Sequence, residues 1–368
     1  MAQPRILINA LSWSLGGGNT YALNLMRELD RDPRGFRFTV LVASAQAHPM
    51  DRLEISQVRL PTRLAGASLL GRLAYEEALL PFRARSFDLL YCVADIAPPF
   101  GTTPTVVALR NLNIYDRTYY DTLRFRVLER LVRLGLPRVR RILFPSRAAA
   151  DLISRRIPIS EGKVAIVPHG VSTDLFEGDT GSQPAKAPYL FVPAPLEPHK
   201  NLGVLIRSLC HVSDTALEVW IAGHDTTDPA HAAELRQLVA QLELGQRVRF
   251  LGPVPYRQIL SYHRGAEALV FPSRLETFGH PLLEAMLAGT PIVASDIPAS
   301  REIGGDVPIY FDPGAPIELA RAVDRIRSKQ EETRQRVARG RERAGQFTWA
   351  RSADTLCAVF EDVLRQEA

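Results

Sequence analysis

The most informative part of the sequence is Glu276-Thr-Phe-Gly-His-Pro-Leu-Leu-Glu284, followed by Ala285-Met-Leu-Ala-Gly289-Thr-Pro-Ile-Val-Ala-Ser-Asp296. It predicts a loop, a short helix and a buried strand. Pro281 suits the first helical position, and Gly289 suits the left-handed position after the helix end. Thr290 to Ser295 is a short, apolar and β-branched run, which is typical of a strand. This order of elements indicates an α/β fold.

The same stretch offers groups for an anion and for hydroxyls. The backbone N–H groups of Phe278 and Gly279 and the positive end of the following helix point to one place, which favours an anion. Glu276 and Glu284 stand on either side of it. Carboxylates repel phosphate but accept hydrogen bonds from sugar hydroxyls, so the combination describes a nucleotide-sugar. The structural alternative is that Glu284 complements the helix dipole and Glu276 is a solvated loop residue.

The frame E-T-F-G-x-P-L-x-E-A-M-x-x-G-T-P-I-V-A-S-D resembles the nucleotide-sugar signature of the group 1, family 4 retaining glycosyltransferases. The resemblance implies a GT-B fold, with two Rossmann-like domains facing across a cleft and a C-terminal helix returning to the N-terminal domain. It implies that Glu276 holds a donor-sugar hydroxyl and that Glu284 holds the ribose diol. His280 stands where the family usually has an aliphatic residue. The donor-binding residues implied for this segment are Phe278, Gly279, His280, Pro281, Leu282 and Glu284.

The opening of the second half, Tyr189-Leu-Phe-Val-Pro-Ala-Pro-Leu-Glu-Pro-His-Lys200-Asn201-Leu, resembles the strand-then-lysine motif of the family. The lysine of that motif binds the donor phosphates as a point charge, and Lys200 fits this role. The family usually has an arginine five residues earlier, where this chain has Pro195. Lys200 therefore carries more of the predicted charge stabilisation than usual. Taken alone, a lysine in a loop is more often an ordinary surface residue.

Two glycine-containing segments extend the predicted donor site. Gly16-Gly17-Gly18 lies between the first strand and the first helix, where glycine lets a backbone approach a ligand closely. A plain tight turn is the alternative, but the segment resembles the family's loop that faces the diphosphate and the acceptor. Phe250-Leu-Gly252-Pro-Val254 matches a family segment that lines the base pocket through backbone groups. Gly17, Gly18 and Val254 are therefore predicted at the donor.

Arg110 and Asn111 stand at a strand end where many relatives have His-Asp, close to the reacting sugar. The role of that histidine cannot be transferred to an arginine. We expect Arg110 to pair with the donor phosphate or with an acidic acceptor, and Asn111 to bond a sugar hydroxyl. Together with Glu276 and Lys200, these residues form the predicted catalytic set.

Apolar strands alternate with helices in both halves of the chain, which predicts two Rossmann-like domains. We expect an N-terminal acceptor-side domain at 1–177, a linker at 178–188, a C-terminal nucleotide-sugar domain at 189–345 and a returning helix at 346–368. The polar Gly/Pro/Ser composition after Phe176 marks the linker. The strands expected in the first half are Arg5–Ala10, Arg37–Ala43, Leu89–Cys92, Thr105–Leu109, Arg141–Phe144 and Val164–Val167.

The composition suits folded domains rather than disorder, since 46% of the 368 residues are hydrophobic and 23% are charged. Three cysteines are too few for a disulfide framework or a zinc cluster, and we expect them in the cores. No apolar run approaches about 20 residues, and no leader pattern precedes the first strand. We therefore expect a cytoplasmic protein that works without a bound metal or other cofactor.

The positive charge lies in the first half, where residues 1–185 carry 24 Lys and Arg against 17 Asp and Glu. Residues 124–141 are the densest part and predict a basic amphipathic helix. A solvated helix face is the ordinary explanation. The functional alternative is peripheral contact with an anionic surface at the inner face of the membrane, or with a phosphate-bearing lipid acceptor. The stretch lacks a nucleic-acid motif, so no nucleic-acid partner is predicted.

These features and the family resemblance predict a metal-independent glycosyltransferase that moves a hexose or deoxyhexose to a hydroxyl of a glycan or lipid-linked acceptor. The resemblance implies that the reaction retains the anomeric configuration. The residues around Gly289–Ile297 and Arg301-Glu-Ile-Gly-Gly are similar to mannosyl- and rhamnosyltransferases of bacterial surface polysaccharide and lipopolysaccharide assembly. That similarity favours GDP-mannose, with a dTDP-sugar as the other candidate donor. A nucleotide-sugar epimerase of the same fold and a non-catalytic nucleotide-sugar-binding protein are the alternatives. The linkage and the oligomeric state are not specified by the sequence.

Overall fold

The computed structural model describes residues 3–12, 17–43, 53–60, 69–171, 187–226 and 228–367. The chain forms two compact units. The first contains Met1–Gly170 together with Thr348–Ala368, and the second contains Val171–Phe347. The predicted linker at 178–188 lies almost wholly outside the described residues.

The described residues of the first unit form a seven-stranded parallel sheet. The strands are β1 (Arg5–Asn9), β2 (Arg37–Ala43), β3 (Ser56–Leu60), β4 (Leu89–Cys92), β5 (Thr105–Ala108), β6 (Val139–Phe144) and β7 (Val164–Ile166). Their order in the sheet is β3-β2-β1-β4-β5-β6-β7. β1, β4 and β5 lie in the middle and are almost continuously buried, because helices cover both faces of a sheet of this kind.

The strand β3 is absent from the strands expected from the sequence. Its residues, Ser-Gln-Val-Arg-Leu, contain no apolar run, and only Leu60 is buried. β3 pairs in parallel with β2 alone and therefore forms the edge of the sheet. An edge strand is held by backbone hydrogen bonds on one side and needs little apolar side-chain burial, which explains why the pattern missed it.

The helices described in the first half are α1 (Gly17–Asp30), α2 (Leu69–Ala78), α3 (Leu80–Ala84), α4 (Leu123–Gly135) and α5 (Arg147–Arg156). α1 begins at Gly17, so Gly17 and Gly18 are its first residues and do not belong to the loop before it; Gly16 lies outside the described residues. The predicted basic helix at 124–141 is shorter than expected. α4 ends at Gly135, and Arg140 and Arg141 belong to β6.

The described residues of the second unit repeat the same arrangement with six strands. They are β8 (Tyr189–Pro193), β9 (Glu218–Ala222), β10 (Val248–Gly252), β11 (Ala268–Phe271), β12 (Ile292–Ser295) and β13 (Ile309–Phe311), in the order β10-β9-β8-β11-β12-β13. All of their pairings are parallel. The helices are α6 (Leu202–Ser208), α7 (Pro229–Gln241), α8 (Tyr256–Gly265), α9 (His280–Ala288), α10 (Pro298–Gly304), α11 (Pro316–Ser328) and α12 (Gln330–Ala344). Both units therefore have the strand order of a Rossmann sheet.

The last helix, α13 (Trp349–Glu367), packs on the first unit, as the resemblance implied. Its buried residues recur at helical spacing and face the core of that unit: Trp349, Ala353, Leu356, Cys357, Phe360 and Val363. Gly170 allows this return, because a Cβ atom there would overlap the backbone of Trp349. Cys92 and Cys357 are buried as expected, but the expectation is wrong for Cys210, which is exposed after α6.

Phe360 provides a test of how α13 contributes to stability. Its ring is fully buried, with its centroid 5.5 Å from that of Tyr91 and 6.3 Å from that of Phe36. We expect Phe360→Ala to lower the free energy of unfolding of the first unit by about 3–5 kcal/mol, because it leaves a cavity in the core. The control is Phe82→Ala, at an exposed ring of the same unit, which should change stability by about 0.5 kcal/mol or less. Urea denaturation followed by circular dichroism measures both, and equal losses would contradict the packing described.

Candidate functional site

The candidate site of the second unit lies where the strand order changes direction. β8 and β11 are neighbours, with Phe191 opposite Leu269, although they are the first and fourth strands of the unit. Ligands of such sheets bind beyond the carboxyl ends of these two strands, because the connecting loops diverge there. Lys200 follows β8 and Glu276 follows β11. Two of the predicted catalytic residues therefore lie at the switch point of the sheet.

Lys200 and Glu276 form an ion pair with each other. The Lys200 Nζ donates a hydrogen bond of 2.6 Å to Glu276 Oε1, and the two side chains are only 17% and 13% exposed. The sequence predicted both residues at the donor but not this contact, since they are 76 positions apart. A charge-assisted hydrogen bond of this length in a largely buried place holds both groups firmly. Without a ligand, each is therefore the counterion of the other.

Asn201 fixes the geometry of this pair. Its backbone is left-handed, with φ 55°, and it ends the short turn Pro198–Lys200 before α6. The Asn201 Nδ2 donates to the carbonyl oxygens of Pro272 (3.0 Å) and Pro313 (2.8 Å). The loop that carries Lys200 is thereby tied to the loop that carries Glu276. Asparagine suits this position because it tolerates the left-handed region and supplies two donors.

Glu276 is held in its ionised form. Burial raises the pKa of the Glu276 carboxyl, but Lys200, the neighbouring His199 and a hydrogen bond from Ser273 together outweigh burial, so the pKa lies below its ordinary value. A buried carboxylate of this kind depends on its counterion. If a ligand draws Lys200 away, Glu276 needs other hydrogen-bond donors.

The start of α9 provides a backbone donor for an anion. Gly279 precedes the helix with φ 104°, a conformation that favours glycine, and Pro281 occupies the first turn. Phe278 is buried, with its ring centroid 6.0 Å from that of Phe347, and it anchors this corner. Within the described residues, the Gly279 amide makes no hydrogen bond. A free amide at the positive end of a helix is suited to a phosphate oxygen.

Leu282, which is predicted at the donor, takes part in the first turn of α9. Its backbone amide donates to the Gly279 carbonyl at 3.0 Å. The bond closes the first turn of α9, and it leaves Leu282 to act through its fully buried side chain in the core of the unit. The donor-binding role of Leu282 stays a prediction.

Glu284 lies in α9 and is almost fully buried. Burial raises the pKa of its carboxyl, but His263, His280 and the hydrogen-bonded hydroxyl of Tyr256 outweigh burial, so the pKa lies below its ordinary value. His280 is one turn before Glu284 on the same helix, which explains its influence. His280, the residue that departs from the family pattern, therefore helps to keep Glu284 ionised.

Val254 lies just before α8, the helix that carries Tyr256. It packs at the edge of a small aromatic cluster formed by Tyr189, Phe191 and Trp220. The Tyr256 hydroxyl and the Glu284 carboxyl each shift the pKa of the other, so this segment lies next to α9. The predicted base-binding segment therefore leads into α8, which packs against α9, the helix of the predicted ribose ligand.

Pro195 occupies the position where the family usually has an arginine. It lies beyond β8, between Ala194 and Leu196, and the Leu196 amide donates to the His224 carbonyl at 3.0 Å. Arg274 brings a guanidinium to the same loops, since its backbone amide donates to the His199 carbonyl at 2.8 Å. Its Nη2 lies 3.4 Å from the Pro313 carbonyl oxygen, and the side chain is exposed.

In the first unit, Asp95 organises the corner that contains Arg110 and Asn111. One carboxylate oxygen of Asp95 accepts hydrogen bonds from the backbone amides of Arg110 (3.0 Å) and Asn111 (3.2 Å) and from the Tyr115 hydroxyl (3.0 Å). Burial raises the pKa of the Asp95 carboxyl despite these donors. Its φ of 27° is unusual for a non-glycine residue, and such strain is common at functional sites.

Arg110 lies over an aromatic ring rather than in an ion pair. Its guanidinium carbon is 3.9 Å from the ring centroid of Tyr21 in α1, and the Tyr21 hydroxyl lies 3.0 Å from that of Tyr91. The His169 ring centroid is 4.5 Å from that of Tyr21. No carboxylate of the described chain hydrogen-bonds to the Arg110 side chain, and its Nε is buried without a partner. A cation held in this way is free to take an anionic ligand.

Asn111 has a local role in the structure. Its Oδ1 accepts a hydrogen bond from the Asn113 amide at 3.2 Å, and it thereby caps the short helix Leu112–Ile114. The Nδ2 group remains the part of this exposed side chain that suits the predicted bond to a sugar hydroxyl. The described corner therefore contains Arg110 and Asn111, together with Tyr21 and Asp95, which the sequence analysis did not identify.

Two further observations concern ligands and membranes. In the described ranges, no three His, Cys, Asp or Glu side chains lie together as ligands for a metal ion. Metal-independent catalysis stays a prediction. None of the helices described here is both long and apolar enough to cross a bilayer.

Two family models match the chain. The model for glycosyl transferases group 1 matches residues 179–343, and the model for glycosyltransferase family 4 matches residues 15–175. Among curated proteins, the O-antigen chain mannosyltransferase RfbU of Salmonella typhimurium is 30% identical over 218 residues, which cover 58% of this chain and 60% of that protein. The D-inositol 3-phosphate glycosyltransferase of Corynebacterium diphtheriae is 26% identical over 228 residues, or 58% of this chain and 53% of that one.

The fold is that of solved glycosyltransferases of the GT-B type. The structure of Anabaena Alr3699/HepE in complex with UDP and glucose has a TM-score of 0.77 at 19% identity, over 98% of this chain and all of that one. Sucrose-phosphate synthase of Thermosynechococcus elongatus has a TM-score of 0.78 at 20% identity, over 99% of this chain and all of that one.

Proposed function

The chain belongs to the group 1, family 4 glycosyltransferases, and from that premise we propose that it transfers a hexose or deoxyhexose from a nucleoside diphosphate to a hydroxyl of a glycan or lipid-linked acceptor. The ion pair between Lys200 and Glu276 is the observation that carries the proposal, because it brings a phosphate ligand and a hydroxyl ligand to one place. We propose that the reaction retains the anomeric configuration and needs no bound metal.

The ion pair gives way when the donor binds. The diphosphate draws Lys200 to itself, and the hydroxyls of the donor sugar become the new hydrogen-bond donors to Glu276. The Gly279 amide, at the start of α9, bonds a phosphate oxygen, and Glu284 accepts hydrogen bonds from the ribose diol. Each buried charge thus exchanges one partner for another, and neither is left without one.

Departure of the diphosphate makes the largest electrostatic demand of the reaction, because negative charge grows on the leaving oxygen. In the second unit, Lys200 and the Gly279 amide stabilise this negative charge. In the first unit, Arg110 offers a cation for a phosphate of the donor or of an acidic acceptor. For retention, the acceptor hydroxyl attacks on the face that the diphosphate leaves, through an oxocarbenium-like transition state.

GDP-mannose is our first choice of donor, and surface polysaccharide synthesis is our choice of pathway class. The mannosyltransferase named among the relatives supports both choices. The UDP and glucose of the HepE complex belong to that protein, and they support a nucleotide-sugar as the kind of donor. We place the reaction at the cytoplasmic face of the membrane.

The donor site is tested with Lys200. At a donor concentration of about 100 times the dissociation constant, the wild type should be stabilised by about 2.7 kcal/mol in a thermal-shift titration with GDP-mannose. Lys200→Met should abolish this shift and transfer to an acceptor, because the diphosphate loses its cation. The double variant Lys200→Met, Glu276→Gln removes the whole ion pair, so a folding defect caused by an unpaired Glu276 can be recognised.

The matched control is Lys329→Met, at an exposed lysine of the second unit, which should bind the donor like the wild type. A shift that survives in the Lys200 variants would overturn the assignment. Binding without transfer to any acceptor would favour a non-catalytic binding protein, an alternative that Pro195 supports. A new sugar nucleotide formed from the donor alone would identify an epimerase.

We also propose that α4 contacts an anionic membrane surface. The helix exposes three apolar residues at helical spacing: Leu123 (78%), Val127 (47%) and Leu134 (54%). Beside them lies a cavity of about 420 Å³ lined by Arg117, Asp121, Arg126, Glu129, Arg130, Arg133 and Arg156. Five arginines against two carboxylates leave this surface positive, which suits phospholipid headgroups.

The membrane contact is tested with two matched pairs of residues. Val127→Ser with Arg130→Gln should weaken binding to vesicles containing phosphatidylglycerol by about fivefold or more, since one arginine near the surface contributes about 1 kcal/mol. Ile317→Ser with Arg321→Gln is the control, because Ile317 on α11 is also 47% exposed. Vesicle sedimentation measures both. Equal binding by the two double variants would exclude α4 as the contact.

A further inference from the structure

His263 is a fully buried histidine that no predicted function uses. It lies in α8, and both of its ring nitrogens are buried without a hydrogen-bond partner in the described structure. Its backbone carbonyl, by contrast, accepts a hydrogen bond of 2.8 Å from the Thr290 hydroxyl. The main chain at this position is therefore fixed, while the polar atoms of the side chain have no partner.

The closest charged group to the ring is the predicted ribose ligand. The His263 Nε2 lies 3.9 Å from Glu284 Oε2, roughly an ångström longer than a hydrogen bond. On another side, the ring meets Phe191 of β8 edge to face, with the centroids 5.0 Å apart. Phe191 limits where the imidazole can go. Closing the gap between His263 and Glu284 takes a movement of about one ångström.

A buried polar group without a partner is unfavourable, and native proteins keep few of them. An apolar residue would fill the space between Phe191 and Glu284 without this cost. The imidazole is therefore better explained by what it does for the carboxylate than by packing. Glu284 must offer its oxygens to two neighbouring ribose hydroxyls in a defined direction, and a donor behind the carboxylate fixes that direction.

We propose that His263 is a positioning residue, which donates from Nε2 to Glu284 when the donor binds and so makes the site specific for the ribose of the nucleotide. The inference rests on the proposed function, since it assigns the ribose diol to Glu284. Tyr256 and His280 also influence this carboxylate. Tyr256 lies on α8, the same helix as His263, and His280 lies one turn before Glu284 on α9. The His263 ring approaches Glu284 from α8, to 3.9 Å.

The test compares nucleotides that differ only in the sugar next to the base. Dissociation constants are measured by calorimetry for GDP and 2′-deoxy-GDP with the wild type, Glu284→Gln, His263→Gln and His263→Met. Glutamine and methionine have nearly the same shape, but only glutamine keeps an N–H donor. We expect the wild type to prefer GDP by about tenfold or more, because a buried carboxylate loses a hydrogen bond with the deoxy sugar.

His263→Met and Glu284→Gln should both lose this preference, and His263→Gln should keep most of it. A merely structural role of His263 would lower both affinities in parallel and leave their ratio unchanged. Thr290→Val is the control, because it removes the hydrogen bond to the main-chain carbonyl of His263 without changing the ring. The ratio of its dissociation constants for the two nucleotides should equal that of the wild type.

The possible outcomes separate the inference from the function on which it rests. If Glu284→Gln loses the preference and His263→Met keeps it, the role of His263 is overturned and the donor site stands. If the wild type binds GDP and 2′-deoxy-GDP with equal affinity, Glu284 does not recognise the ribose hydroxyls, and the inference is wrong. If neither nucleotide binds, and UDP and dTDP also fail to bind, the proposed function falls together with the inference.

Discussion

The ion pair between Lys200 and Glu276 is the interaction on which the site depends. Both groups are largely withdrawn from water, and a charge in such a place needs a partner at every stage. In the protein without ligand, each group serves the other. A nucleotide-sugar replaces both partners at once, because its diphosphate suits the lysine and its hydroxyls suit the carboxylate. A free nucleoside diphosphate replaces only one of them.

The fold explains why these two residues meet. β8 and β11 are three strands apart in the chain and adjacent in the sheet, so the loops that follow them converge at the switch point. Asn201 then ties the two loops together. The first unit uses the same principle, because Asp95 follows β4 and holds the backbone of Arg110, which follows β5. In both units, a polar side chain in the loop after one strand binds the backbone of the loop after the neighbouring strand.

Much of this could be predicted from local patterns. Continuous apolar runs identified the central strands, and proline and glycine marked the ends of α9. The polar edge strand β3 carried no such pattern and was missed. Contacts between distant positions were also missed: spacing along the chain cannot reveal that Glu276 pairs with Lys200, or that His263 faces Glu284 from another helix. The roles of the site residues stay predictions, because they concern a ligand.

The most direct measurement is the effect of Glu276→Gln on the binding of GDP-mannose and of free GDP, by calorimetry. We expect changes of opposite sign. GDP-mannose should bind about tenfold more weakly, because a sugar hydroxyl loses a charged acceptor. GDP should bind more tightly, because Lys200 no longer has a competing carboxylate beside the phosphates. If Glu276→Gln weakens the binding of both ligands, or strengthens the binding of both, Glu276 does not exchange Lys200 for the sugar hydroxyls, and the proposed site is wrong.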